Sequence, residues 1–539
     1  LVLLAATGCA LEAHPAGTQL GQGRDIDAPK IVWADGRPLV LFDKMLDDGT
    51  DLHAMPFDGQ GGESTWGSIS TRNTWLTASG TMVAESFPYL SLYSLTSTTP
   101  LRGMVGTVDG LQGDELLFHQ ETPNGRGNST LVHLPDGQMR ELGKLEQHWF
   151  SPDGRLYYLQ ANGIFRSQKA TESVVVTADR LASQFVVSAD QAHAVIRERV
   201  DPAAILPTET RDRLLALPAM REAATLPLEN RECSDCAAWL GFSPDSVSFL
   251  YAENHHADAS LVFQVDVGAL EVGKASTRPG PWAMDLLWSP GGDLGLLGER
   301  PCAGEGAQCR LIARSLLRLG PTFEPLNTPV VGATFFPSGA HLLFEDALAG
   351  GRLLVTRTDA LSPDPTAQAV SLSPEGSLLD GRTVDGGSES VVFWARPLGG
   401  KSSINLVTSA ARSNLYAAKA PDFAVRRLAE AADSVAIGQG YVLALVRFSP
   451  QDLTGDLVLF DLRSGHEQTL AAPVSAFWAT PDCPTAGSPP LDQQWQGWPT
   501  RSTTIDKGCP DSSSLLVAFV VRGRVKSAKD GLWALKVPL

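Results

Sequence analysis

A five-residue bend recurs through the middle of the chain, and it narrows the possible folds more than any other feature. Phe150-Ser151-Pro152-Asp153-Gly154, Phe242-Ser243-Pro244-Asp245-Ser246 and Trp288-Ser289-Pro290-Gly291-Gly292 follow one template. Phe335-Phe336-Pro337-Ser338-Gly339 and Leu372-Ser373-Pro374-Glu375-Gly376 are looser copies. The prolines at 152, 244, 290, 337 and 374 step by 92, 46, 47 and 37 residues. The first step spans about two periods, and Val187-Ser188-Ala189-Asp190-Gln191 fills the gap with alanine in the proline slot. Each letter has a local reason. Pro presets φ for the second residue of a tight turn, Asp hydrogen-bonds nearby backbone, and Gly accepts a positive φ.

Short alternating apolar runs recur along the chain, separated by turn residues: Pro38-Leu39-Val40-Leu41-Phe42, Leu156-Tyr157-Tyr158-Leu159, Leu342-Leu343-Phe344 and Tyr441 to Val446. They read as strands. The one stretch with helical periodicity runs from Arg211 to Leu226. A second unit also repeats. Leu457-Val458-Leu459-Phe460-Asp461-Leu462-Arg463-Ser464-Gly465 is echoed by Leu131-Val132-His133-Leu134-Pro135-Asp136-Gly137, strands that run into a hairpin turn. A period of roughly 40–45 residues with four short strands is the mark of a propeller blade. Together the pieces resemble the TolB-type, WD-repeat-like β-propeller blades of exported bacterial proteins, clearly so between residues 130 and 395. Asp35-Gly36, Ala78-Ser79-Gly80, Asp109-Gly110 and Gly438-Gln439-Gly440 mark degenerate copies toward the ends.

The expected fold class is therefore all-β. About twelve blades fit between residue 35 and a last turn near 480, whereas one ring closes with roughly four to eight. Two tandem rings of about six four-stranded blades follow, residues 29–275 and 276–539, divided in the Gly/Ser/Pro-rich segment Gly273 to Pro281. The alternative is one seven- or eight-bladed ring with insertions such as 201–235. Gly531 to Val537 is expected to be a closing strand, since a propeller hides sheet edges by closure.

Leu1-Val2-Leu3-Leu4-Ala5-Ala6-Thr7-Gly8-Cys9 is an apolar run that ends in small residues and a cysteine. It is too short to span a bilayer and reads as the back of a secretion signal, residues 1–8. Ala6 to Cys9 resemble a bacterial lipobox, although Ala6 stands where Leu is usual; the resemblance implies a diacylglycerol on Cys9. Residues 9–28 are small and polar and suit a flexible tether. Seven cysteines support this reading. With Cys9 set aside, six form the sequence-local pairs Cys233/Cys236, Cys302/Cys309 and Cys483/Cys509, expected as disulfides of an oxidising compartment. Cys233-Ser234-Asp235-Cys236 follows an irregular stretch, which fits a loop disulfide better than a redox helix or a zinc site.

Motifs of chemistry are few. There is no G-x-S-x-G elbow, no H-E-x-x-H, and no phosphate-cradling glycine loop. Sialidase-type boxes and a tryptophan docking repeat are also missing; Trp33, Trp149, Trp239, Trp288 and Trp394 read as packing between blades. Asp47-Asp48-Gly49-Thr50-Asp51 offers calcium-type oxygens but lacks a bidentate Glu, so an acidic hairpin tip is the plainer reading of Asp47, Asp48 and Asp51. Neighbours on a strand would face opposite sides and not grip one metal, so His255-His256 reads as an exposed loop pair, and Asn128-Ser129-Thr130 is an incidental glycan pattern. The net charge of −17 disfavours nucleic acid. The expectation is a lipid-anchored, non-catalytic binding or scaffold module of the bacterial cell envelope, on its periplasmic or outer-membrane face. It has no cofactor, touches the membrane only through its anchor, and recognises a protein or glycan through loops at a ring face. The alternative is a propeller enzyme acting on envelope or extracellular glycans with paired carboxylates at its axial mouth.

Overall fold

The computed structural model describes residues 17–539 except for 200–209, 227–236, 301–312, 360–368, 398–412, 484–501 and 505–511, and shorter stretches of one to five residues. Among the described residues every regular element is a strand. The strands assort into nine sheets there: six of four strands, one of five and two of eight. In the four-stranded sheets consecutive strands lie side by side. Gln147–Phe150, Leu156–Gln160, Gly163–Gln168 and Thr171–Thr177 are one example, each antiparallel to the next. That meander is a propeller blade. The protein is an all-β propeller, with seven single-blade sheets among the described residues.

Two compact units divide the chain, Leu1–Asp114 with Asp380–Leu539, and Glu115–Leu379. The expected tandem rings are therefore corrected. A cut at residue 275/276 would run through one sheet, because Ser276–Pro279 and Glu271–Val272 both pair with Ala259–Asp266. Hairpin turns inside a blade use the same Gly, Ser and Pro as linkers do, so composition alone could not tell them apart. The seven single-blade sheets fit the alternative of one seven- or eight-bladed ring. The helical reading of Arg211 to Leu226 is also overturned. Thr210–Ala216 and Arg221–Leu226 are antiparallel strands, since cross-strand partners override a weak local period.

In the first unit both ends of the chain enter one sheet. Thr18–Gln22 pairs with Gly531–Pro538, which pairs in turn with Ser514–Val521. The segment expected as a tether thus becomes structured from Thr18 onward, with Leu20 and Ile26 buried. Its strand partner comes from the far end of the chain, where local pattern gives no hint. Asp530 locks this junction. Its carboxylate accepts from Arg24 Nε at 2.6 Å, Gly523 N at 2.9 Å and Ser527 Oγ at 3.1 Å, while its carbonyl accepts from Gly23 N at 3.1 Å. The core beneath is aliphatic and aromatic: Leu20, Ile26, Ile31, Val40, Phe42, Leu516, Ala518, Val520, Leu532 and Ala534. In the second unit Tyr157, Leu159, Phe185, Val187, Ala194, Ile196 and Leu215 fill the space between two successive sheets.

Candidate functional site

The recurring bend builds the most regular surface of the second unit. Each of five copies, at Ser151, Ser188, Ser243, Ser289 and Phe336, joins two successive antiparallel strands. In the third, Ser243 N donates to Ser248 O at 2.8 Å, Ser243 Oγ accepts from Ser248 N at 2.9 Å, and it donates to Asp245 Oδ1 at 2.5 Å. The bend at Ser188 repeats this, with Ser188 Oγ on Asp190 Oδ1 at 2.5 Å and His193 N on Ser188 Oγ at 3.0 Å. The serines are buried while the tips Ala189, Asp190, Pro244, Asp245, Pro290, Gly291, Pro337 and Ser338 face solvent. In the four copies whose fifth residue is described, that residue adopts a left-handed backbone: Gln191 at φ 58°, Ser246 at 63°, Gly292 at 75° and Gly339 at 73°. The Leu372 copy differs. It lies between Val370–Ser371 and Ser377–Val384, strands of different sheets, where Ser373 Oγ accepts from Leu353 N at 2.8 Å.

Successive bends interlock. Gln191 Oε1 accepts from Tyr157 Oη at 2.9 Å and Arg155 Nη1 at 3.3 Å, and Asp190 N donates to Ser246 Oγ at 3.2 Å. Further along, a Cβ at Gly292 would sit 3.6 Å from Pro244 Cδ, and one at Gly339 3.6 Å from Pro290 Cδ. The result is a continuous row of exposed tips on buried supports. The tip acids remain ionised. Partial burial pushes the Asp190 carboxyl upward, but Ser188, the Ala192 N–H, His193 and Ser246 outweigh it, and the pKa ends below the usual carboxylate value. At Asp245 the Ser243 hydroxyl and the Val247 N–H lower it.

A second polar feature lies inside the blade made of Ala182–Val187, His193–Arg199, Thr210–Ala216 and Arg221–Leu226. Arg197 and Asp212 are opposite each other in register and form a fork, Nε to Oδ1 and Nη2 to Oδ2, both at 2.8 Å. Trp239 of the next blade donates its indole N–H to Asp212 at 2.5 Å, and the Arg197 guanidinium lies 4.8 Å over the same ring. On the sheet's opposite face Arg213 donates to Glu198 at 2.5 Å. All four charged residues are buried, and each acid has its base.

The first unit buries a charge differently. Lys30, on the strand Ile26–Ala34, is 7% exposed. Its ammonium donates to Thr74 O at 3.1 Å and lies 6.0 Å from the Trp478 ring centroid. Burial pushes its pKa down to about 8. Beside it, Ser70 Oγ donates to Asp43 at 2.7 Å, and Thr74 Oγ1 donates to Ser70 O at 2.5 Å.

The residues singled out from sequence fall elsewhere. Cys9, Cys233, Cys236, Cys302, Cys309 and Cys509 lie outside the described residues; Cys483 lies within them and is disulfide-bonded. Asp47 is exposed on a turn, and Asp48 is outside the described residues. Asp51 Oδ1 accepts from Ser68 N at 2.9 Å. No three His, Cys, Asp or Glu cluster as metal ligands among the described residues. Of the five tryptophans, Trp33, Trp149, Trp239 and Trp394 pack in or against core clusters that draw on two sheets, and Trp239 makes a hydrogen bond besides. Sequence reasoning missed Lys30, Arg197, Glu198, Asp212 and Arg213. The signal available was a charge set within apolar strand residues, as in Val195-Ile196-Arg197-Glu198 and Asp212-Arg213-Leu214-Leu215.

No protein-family model matches the chain, and no curated protein matches it. Solved structures do. The Dos1 propeller is 12% identical, with 61% of this chain and 90% of that one covered and a TM-score of 0.34. A protein assigned as TolB from Agrobacterium tumefaciens is 14% identical over 56% and 88%, with a TM-score of 0.23. Hydrazine synthase from Kuenenia stuttgartiensis is 13% identical over 59% and 92%, with a TM-score of 0.32. Likenesses this distant carry no functional argument, and propellers host unrelated functions.

Proposed function

We propose that the protein is an exported β-propeller, lipid-anchored through Cys9 at the bacterial cell envelope, that binds an envelope protein or glycan without catalysing a reaction. The observation that carries this reading is the interlocked row of bends in the second unit. Rigid supports that present many adjacent tips suit recognition, because little ordering entropy is lost on contact. Its exposed surface of prolines, small residues and the ionised Asp190 and Asp245 favours a neutral or basic partner face. The test is affinity capture from cell-envelope extract with the full chain as bait. A saturable partner is expected, and Asp190→Lys with Asp245→Lys should weaken its binding by about tenfold. Consistent failure to retain any partner, or full retention by the double variant, overturns the assignment to this surface.

A further inference from the structure

One strand of the first unit is paired along an edge that its counterparts leave unpaired. Among the described residues, the first strand of each of the seven single-blade sheets ends its sheet and pairs with the second strand alone. Val435–Gly438 pairs antiparallel with Tyr441–Ser449, and its other edge pairs with Ser502–Thr504, Val435 opposite Ser502 and Ile437 opposite Thr504. That second pairing is parallel, whereas the others in the same sheet are antiparallel. Its origin is also unusual. Glu467–Pro481 and Ser514–Val521 are antiparallel neighbours, which a hairpin of about two to five residues can join. Residues 482–513 lie between them instead. The base of this insertion is pinned: Asp482 N donates to Ser514 O at 3.0 Å, Ser514 Oγ donates to Asp482 Oδ2 at 3.1 Å, and Cys483 is disulfide-bonded.

What this segment covers is backbone. Val435 and Ile437 pack with Val392 and Trp394 on one face of the strand, and Ala436 packs with Leu443 and Leu457 on the other, all of them buried. With both faces filled, the edge is the side whose N–H and C=O groups still need partners. Such an edge takes up an extended chain through main-chain hydrogen bonds. Three residues in parallel are a weak occupant, since a parallel ladder is slightly less stable per residue than an antiparallel one. Tethering compensates by holding the segment at a high effective concentration. We propose that the edge of Val435–Gly438 is a strand-addition site for an extended peptide segment of a protein partner, and that Ser502–Thr504 fills it in cis as a displaceable strap. The site lies in the first unit and is independent of the row of bends, so either proposal stands if the other fails.

The experiment uses the full chain, and the probe is a fluorescein-labelled peptide of residues 499–506, titrated to about 1 mM because a tethered segment competes in that range. Two variants empty the edge. Ser502→Pro with Thr503→Pro removes the donor that faces Val435–Gly438, since successive N–H groups of a strand point to opposite sides. Ser502→Gly with Thr503→Gly and Thr504→Gly keeps every N–H and the chain length but weakens the strand. The expected result is saturable binding by both variants and binding about tenfold weaker by the parent. Amide exchange in Val435–Gly438 should quicken in the variants and slow again with peptide, and a peptide carrying the two prolines should not bind. Equal binding by parent and variants, or no binding by the folded glycine variant, overturns the proposal; the second outcome leaves the strap as a cover that keeps the edge from pairing with other chains.

Discussion

Two blades hold charge away from water in opposite ways. In the sheet of His193–Arg199 and Thr210–Ala216, Arg197 meets Asp212 through two parallel bonds, and Trp239 takes the remaining acceptor position. On the strand Ile26–Ala34, Lys30 has a single carbonyl and a distant ring. The first arrangement is closed, since each charge is met within the fold and nothing is left to recruit. The second is open. Burial by itself therefore does not mark a functional residue; the donors and acceptors left over do so.

The sharpest way to break the comparison is to open the closed site. Asp212→Ala leaves the Arg197 guanidinium and the Trp239 N–H buried without their acceptor, and should cost about 4 kcal/mol in urea unfolding of the full chain. Arg197→Met with Asp212→Leu removes both charges and should restore most of that loss. If the double variant is as unstable as Asp212→Ala, the pair does more than cancel its own charges.

Removing the charge at the open site should act in reverse. Lys30 titrates at about 8 in the folded protein against 10.5 as a free side chain. Between those values the unfolded chain binds more protons, so stability rises with pH across that window. Below it the folded state carries a constant penalty of about 3 kcal/mol. Lys30→Met should therefore be more stable than the parent at pH 7 by up to about 3 kcal/mol, with the gap closing toward pH 10.5. A gap of unchanged size at both ends of that window would show that packing, not charge, decides the difference.

Asp530 lies between these extremes, a buried acid whose base, Arg24, is 40% exposed. Burial alone would raise its pKa, but Arg24, the Gly523 and Ser527 N–H groups and the Ser527 hydroxyl pull it below the usual carboxylate value. Its contribution is complete above the ordinary Asp value and fades as pH falls through the lower, folded one. Asp530→Asn should cost about 2 kcal/mol near neutrality and less in acid. Hydrogen exchange in Thr18–Gln22 should quicken first, because among the described residues that strand has one partner, Gly531–Pro538. Uniform exchange changes throughout the chain would argue against a local latch.

How much of this was visible in the letters depends on range. The bends were legible because their chemistry is local: Ser243, Asp245 and Ser248 satisfy one another within six residues. The strands at Leu156 and Tyr441 were legible through alternation. What pairs across sequence was not. Arg211 to Leu226 looked helical until the strand His193–Arg199 came to lie beside it, and Thr18–Gln22 looked like a tether until the last strand paired with it. The boundary near residue 275 failed for the same reason, because only pairing with Ala259–Asp266 shows that Ser276–Pro279 belongs to the preceding sheet. The surroundings of the buried Lys30 amine come from three segments, around Lys30, Thr74 and Trp478, that no spacing rule connects.

The smallest effect tests whether the bends are linked or merely adjacent. Gln191 occupies the left-handed position that Gly292 and Gly339 fill in later copies, at a cost of about 1 kcal/mol for a residue with a side chain. Its side chain in return accepts from Tyr157 Oη at 2.9 Å, a bond worth about 1 kcal/mol. Gln191→Gly should therefore change stability little in the parent, since relief and loss offset each other. In a Tyr157→Phe background much of that loss has already occurred, and the same substitution should stabilise by up to about 1 kcal/mol. The difference, read as a double-mutant cycle, measures the link between neighbouring bends directly. A cycle that closes to zero would mean that each bend stands alone, and the row of tips would lose the rigidity on which its role in binding depends.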